Sequence, residues 1–248
     1  MNNNSEKINR KKLFSIIILI ILGLLLTYNF RFIPEKSLSV KDPAARYIKS
    51  GVKETGALNV VTAILYDYRA FDSLGESTVI FAAVSGIVLV LSRKTLPVSS
   101  HGLTFIVKRT FGILTPFIFL YSLYLITHAH LSPGGGFQGG VILGAISIIF
   151  CIVYGSEFDY RRYSPKMKTV LETGGALIFV LMGILGIIFE NGFLDNLNFI
   201  GGETGSLISA GSIPIINLGI GFKVGAGLAI IFYSMIQKTF EEEEEAGH

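Results

Sequence analysis

The chain has 248 residues, 50% of them apolar and 16% charged, with a mean hydropathy of +0.59. Soluble domains carry roughly 25% charged residues, so a water-soluble globular fold is excluded as the first reading. The formal charge of +3 is spread over short polar stretches without a basic block, which leaves no footprint for nucleic acid.

The apolar residues fall into six long runs, at 13–30, 75–91, 111–130, 137–155, 170–189 and 213–236. Crossing a hydrocarbon core of roughly 30 Å takes about 20 predominantly apolar residues, so each run is a candidate span. Each must be helical, because a lone strand would leave its backbone groups without partners in lipid. The fold class is therefore all-α, a polytopic membrane protein. The first run follows Lys7, Arg10, Lys11 and Lys12 but ends on the bulky Leu26-Thr27-Tyr28-Asn29-Phe30. Without a small-residue cleavage site it reads as a retained anchor and not a signal peptide. Asn59 to Tyr66 is apolar but too short to span, and it predicts an interfacial or re-entrant helix over 56–66. The Glu241 to Glu245 run predicts a solvated, disordered acidic tail over 241–248.

Six alternating spans from a cytoplasmic N-terminus put thirteen Lys and Arg residues inside and seven outside, the seven all lying before the second span. The excess supports a multi-pass protein of the cell membrane with both termini cytoplasmic, although the first outer loop is more basic than the positive-inside rule favours.

Lys223 is the clearest functional signal. It lies near the middle of the sixth run, where a lysine costs at least about 2.5 kcal/mol on insertion scales and normally faces a bundle interior or hydrated cavity. Gly219 and Gly227, four residues before and after, share its helical face and leave it narrow enough for a helix, water or a carboxylate. Two readings stand: a lysine ion-paired to hold helices together, or one in a proton or cation path. Asp67, Arg69, Asp72 and Glu76 mark the entrance of the second span. A solvated Asp/Arg pair explains part of that group, while Glu76, at the start of the apolar helix, is placed for proton or cation exchange. Glu172 and Glu190 sit at the ends of the fifth run, within reach of water, and rank lower.

Glycines recur every four residues at Gly136, Gly140 and Gly144, and small residues do so at Gly221, Gly225 and Ala229. Such faces predict helix packing, within the chain or against others. Pro133, Gly134, Gly135 and Gly136 cannot continue a helix and predict a tight turn between the third and fourth spans.

Gly134, Gly136 and Gly139 satisfy a dinucleotide-binding pattern, with Asp159 about 20 residues on, but that pattern needs a strand and a soluble parallel sheet. Here spans flank it, and the glycines and the acid fall on opposite sides. His128 and His130 are two apart and cannot share one helical face as metal ligands. The single cysteine, Cys151, lies in an apolar run, which excludes an internal disulfide. No catalytic, metal or cofactor constellation is legible, so the chain is expected to carry no cofactor and not to be an enzyme in itself.

Two stretches carry a family resemblance. N-V-V-T-A-I-L-Y-D-Y-R-A-F-D-S-L-G-E, from Asn59 to Glu76, resembles a signature near the C-terminal end of the large A subunit of Mrp-type sodium/proton antiporters. It is still more similar to the small E-type subunit of membrane-bound hydrogenases. H-L-S-P-G-G-G-F-Q-G-G, from His130 to Gly140, resembles the signature of the Mrp B subunit and the corresponding hydrogenase F-type subunit. The resemblance implies a fusion: an E-like unit over 1–100 with two spans, and a B-like unit over 101–240 with four, joined near Arg93 to Lys108. It also implies membership of a multi-subunit module exchanging Na+ for H+, free-standing or attached to hydrogenase-like iron–sulfur subunits. The family's acidic motif falls on Asp67, Asp72 and Glu76, and its glycine turn on Pro133 to Gly136. Ser73 stands where the family more often has threonine, which keeps the hydroxyl. Six spans with so few intramembrane charges are too poor in ionisable groups for a complete antiporter, so other membrane subunits must supply the rest of any path. The competing expectation is a scaffold subunit with no direct part in ion movement.

Overall fold

The computed structural model describes residues 43–91, 102–190 and 192–246, and positions 17, 20, 21, 23, 24 and 27. The six positions within the first apolar run are helical, and Thr27 Oγ1 donates to the Gly23 carbonyl at 2.8 Å. The rest of the expected 13–30 span and residues 93–101 of the expected Arg93 to Lys108 junction lie outside the described residues. Met1–Pro43 form one compact unit and Ala44–His248 another.

The described chain is helical, in the order α1 (Pro43–Thr55), α2 (Val60–Ala63), α3 (Ala70–Leu91), α4 (Phe105–Thr127), α5 (Gly136–Tyr154), α6 (Ser156–Arg162), α7 (Pro165–Phe189) and α8 (Ile213–Ala246). Among the described residues, α3, α4, α5, α7 and Ile213–Ile236 of α8 are long and apolar enough to cross a membrane. Three of them begin five or six residues earlier than the apolar runs predict, α3 at Ala70, α4 at Phe105 and α7 at Pro165. Hydropathy marks where a helix meets lipid, whereas the helix itself starts at its cap. In α7 the Ser164 side chain accepts from Met167 N at 3.3 Å and Pro165 takes the first turn, where its missing N–H costs nothing.

Two further elements depart from expectation. α1 was not legible as a helix because it is short and carries charge on every turn. The acidic segment is not disordered: α8 continues as helix through Ala246, in keeping with the high helix propensity of glutamate. The short helix before α3 exists, but after Val60–Ala63 it widens into a π-turn over Ile64–Tyr68.

α8 is the axis of the bundle. Of its span 61% is buried inside the protein, against 11% for α3 on the rim. α5 grips α8 through glycine: a methyl added at Gly140 would sit 2.7 Å from the Gly221 carbonyl oxygen, and one at Gly144 would sit 2.8 Å from that of Gly225. α7 approaches on another side, where a methyl on Gly219 would meet the Gly175 carbonyl oxygen at 3.1 Å. Lipid gives no hydrophobic drive for helix association, so these backbone approaches supply the dispersion contact that holds the bundle.

At the end where α3, α5 and α8 begin, polar loops form a cap. Asn59 Nδ2 donates to the carbonyls of Ala129 at 2.8 Å and Ser132 at 3.0 Å, and Thr62 Oγ1 donates to that of Ala129 at 2.7 Å. Asn196 Oδ1 accepts from Ser212 N and Oγ, both at 2.9 Å. The segment expected to turn, Pro133 to Gly136, lies in this cap, with Gly136 already opening α5. Gly136 N, an orphan donor at the start of α5, is satisfied by Asn217 Oδ1 of α8 at 2.9 Å. A methyl at Gly134 would lie 2.9 Å from the Leu125 carbonyl oxygen, so close approach is what requires glycine there.

Gly140→Val and Gly144→Val should each cost about 1–3 kcal/mol by forcing α5 off α8. Gly174→Ala, whose added methyl meets nothing within 4 Å, should leave stability unchanged or slightly raised. Thermal unfolding of the purified protein in detergent compares the three, and equal midpoints would reject the glycine contact as the grip.

Candidate functional site

Lys223 sits inside the bundle, 1% exposed, on the face of α8 turned to α7 and α3. Its Nζ has no hydrogen-bond partner and lies 5.5 Å from the centre of the Phe81 ring of α3, a cation–π distance. Gly219 and Gly227 flank it as the spacing predicts: Gly219 faces Gly175 and Ile178 of α7, and Gly227 faces Val84 of α3 and Glu172 of α7. The narrow face therefore admits both a helix and a carboxylate.

That carboxylate is Glu172. It is 4% exposed, its Oε1 has no partner, and it and Lys223 are each other's electrostatic neighbours. The ranking of Glu172 as a water-reaching residue at a span end is thus wrong. Because α7 starts at Pro165 and not near Val170, Glu172 lies two turns inside the helix, on its buried stripe with Lys168, Gly175 and Phe179. The Ser164-Pro165 start signal was in the sequence and would have placed it. Glu190 ends α7 and takes no part.

Two opposite buried charges that interact without closing a hydrogen bond are costly as structure alone, since a buried pair offsets its desolvation only in good geometry with its remaining atoms satisfied. A cleft of about 290 Å³ opens beside Lys223, edged by Ser77, Thr78 and Phe81 of α3 and Thr173 of α7. The cleft has room for water next to Lys223.

The structure does not bring the acidic motif into this site. Glu76 and Asp72 lie in the first two turns of α3 and are exposed on the bundle's rim, where Asp72 pairs with Arg69. Asp67 belongs to the π-turn and is half-buried in the cap. Burial, then the charges of Asp195 and Glu54, push its carboxyl up to about 6. Glu54 is itself engaged by the Tyr68 hydroxyl and by Arg46 at 3.5 Å. His130 is fully buried with Nδ1 unpartnered and Nε2 3.3 Å from the Ser206 carbonyl oxygen, and burial holds it below the usual imidazole range. Asp159, far from the glycine turn, is ion-paired to Lys168. Among the described residues no cluster of His, Cys, Asp and Glu is arranged to hold a metal.

A family model for the E subunit of MBH matches residues 10–104. A second, described as "Domain related to MnhB subunit of Na+/H+ antiporter", matches residues 106–230. An uncharacterized protein of Methanocaldococcus jannaschii is 32% identical over 217 residues, 75% of this chain and 82% of its own length. The fold is similar to a chain of the membrane-bound sulfane sulfur reductase, an archaeal respiratory membrane complex, with a TM-score of 0.66 and 29% identity over 91% of this chain and 97% of that one. It is also similar to a chain of the Mrp complex from Dietzia sp. DQ12-45-1b, with a TM-score of 0.61 and 25% identity over 91% of this chain but 26% of that one. Five apolar spans and a domain match over half of its length converge: this multi-pass membrane protein belongs to the family of domains related to the MnhB subunit of Na+/H+ antiporters.

Proposed function

We propose that the chain is a membrane subunit of an Mrp-type cation/proton antiporter module, exchanging Na+ for H+ within a hydrogenase-like respiratory complex, and that Glu172 and Lys223 are its own titratable element. The observation that carries a part in ion movement is that Lys223 Nζ and Glu172 Oε1 are both buried without hydrogen-bond partners while the two groups act on each other electrostatically. The near-complete two-way coverage of the sulfane sulfur reductase chain supports the redox-coupled assembly over a free-standing one. The two adjacent domain matches support an E-like unit over 1–100 fused to a B-like unit over 101–240. On this reading the chain is a transport subunit and not an enzyme. It carries no cofactor, partner subunits supply any iron–sulfur centres, and both termini are cytoplasmic, which makes the cap the outer end.

Glu76 and Asp72 then face neighbouring membrane subunits, since a carboxylate turned to hydrocarbon would be expensive. With Asp67 they would form the cation-facing edge of this protein. The assembled complex, reconstituted in vesicles, tests the reading through Na+-driven proton movement. Lys223→Ala, Glu172→Gln and Glu76→Gln should each slow exchange by about tenfold or more while the complex still assembles. Full exchange by all three would leave only the scaffold role.

Asp67 gives a pH signature. Its folded pKa of about 6 lies above the ordinary 3.8, so between these values the folded state holds a proton that the unfolded chain releases. Its stabilising contribution is complete below pH 3.8 and is lost as pH rises through about 6. Asp67→Asn should therefore unfold at a midpoint that exceeds the parent's progressively more from pH 4 to pH 6, as read by thermal unfolding at each pH. A difference independent of pH would refute the assignment to Asp67.

A further inference from the structure

The α6 end of the bundle carries an excess of positive charge. The stretch 102–112 holds Lys108 and Arg109 and no acid, and the stretch 160–169 holds Arg161, Arg162, Lys166 and Lys168 and no acid. Of the two acids on α6, Glu157 and Asp159, the second is ion-paired to Lys168. Arg162 is the last residue of α6, is exposed, and makes no ion pair among the described residues. It edges a groove of about 540 Å³ between α4 and α5 whose other walls are apolar and aromatic, among them Pro116 and Phe119 of α4, Phe150 and Tyr154 of α5 and Phe158 of α6. The wall is held in place by the chain itself. The Phe150 ring lies 5.6 Å from the rings of both Tyr154 and Phe158, and the Tyr154 hydroxyl donates to the Lys108 carbonyl at 2.6 Å.

The depth of the groove narrows its occupant. From Lys108, level with the Tyr154 hydroxyl, to Phe119 it runs about 17 Å along α4 at 1.5 Å per residue. That is close to half of a hydrocarbon core roughly 30 Å thick, the depth of one leaflet. A membrane-spanning helix of another subunit would need the groove to continue through the second half, whereas an acyl chain ends at the midplane. A second cavity of about 140 Å³ shares Phe119, Ile146 and Tyr163 with the first and leads inward to α7 and α8. The groove therefore forks below its charged rim, as a lipid with two chains requires.

We propose that this forked groove binds one anionic phospholipid, with its phosphate on the Arg162 guanidinium and its chains against the aromatic wall. A guanidinium offers phosphate paired N–H donors in a fixed fork, and tyrosines such as Tyr154 and Tyr163 favour headgroup level. Arg109 and Lys166, both exposed at this end, attract anionic headgroups at longer range, while Arg162 at the groove selects among the lipids that arrive.

Native mass spectrometry of the full chain in detergent, titrated with phosphatidylglycerol or phosphatidylcholine of identical chains, tests the site. One phosphatidylglycerol should be held about tenfold more tightly than one phosphatidylcholine, the gain expected of a charge-assisted guanidinium–phosphate contact. Arg162→Gln should remove that preference without moving the thermal unfolding midpoint. Lys166→Gln deletes a nearby charge that does not edge the groove, and should weaken retention by no more than about twofold. Thr115→Trp, which fills the groove from α4, should weaken both lipids; where it does not fold, Arg162→Gln decides alone. Equal retention of the two lipids overturns the proposal, as does an equal loss in Arg162→Gln and Lys166→Gln, which would mean diffuse surface attraction. Displacement of the lipid by glycerol phosphate, which has no chains, would reduce the site to an anion contact and likewise overturn it. In the intact complex, a photoreactive residue at position 119 should crosslink to phospholipid, and a crosslink to a partner subunit instead would make the groove a protein interface and reject the lipid.

Discussion

In a bilayer the tails around a helix are as apolar as its own leucines, so α8 keeps its central place only because its neighbours come close enough for dense van der Waals contact along its backbone. Gly140 and Gly144 of α5 lie against Gly221 and Gly225, and Gly175 of α7 lies against Gly219. That contact fixes the rotation of α8, and the rotation fixes which way Lys223 points. With α5 on one side and α7 on another, the lysine is turned into the angle between α7 and α3, and Glu172 is the group that meets it there. The same glycines that hold the bundle thus bring two distant charges together.

The polar groups are not distributed as a soluble core would distribute them. At the cap, buried donors and acceptors find partners: Asn59 with two carbonyls, Asn196 with Ser212, and Asn217 with Gly136 N. The exceptions among the described residues are His130 Nδ1 in the cap, Glu172 Oε1 on α7 and Lys223 Nζ on α8. An unsatisfied polar atom in a protein interior costs about 1–3 kcal/mol, and more when charged. Two of the three sit on one pair of helices, on groups that act on each other electrostatically, in a bundle whose other described buried polar side chains have partners. That concentration favours a group whose partner is a proton or water that comes and goes.

Much of this was legible in the sequence, for reasons that also explain the rest. Lys223 stood out because intramembrane charge is rare, and Gly140, Gly144, Gly219 and Gly227 because four-residue spacing is a helical face. Glu172 was not recognised, since hydropathy draws a span around its apolar residues and makes any flanking charge look peripheral. Ser164-Pro165 shows where α7 truly starts. The Asp159–Lys168 pair was hidden for another reason: nine residues separate its members across a chain reversal, and no periodicity connects α6 to α7. The acidic motif taught the opposite lesson. Asp67, Asp72 and Glu76 are close in sequence, yet the π-turn and the start of α3 direct Asp67 into the cap and Glu76 and Asp72 to the rim.

The rim position of α3 bears on what kind of object this protein is. α3 has only 11% of its span buried and carries exposed carboxylates in its first two turns, where the helix enters the apolar run. The interior pair of Glu172 and Lys223, by contrast, is enclosed by this chain's own α3, α7 and α8. One set of charges is buried within the chain and the other is exposed at its edge. On the function proposed above, the inner pair is the proton-handling element and the rim carboxylates meet the next subunit. That division accounts for a chain too poor in charge to be an antiporter alone, yet unable to do without the few charges it has.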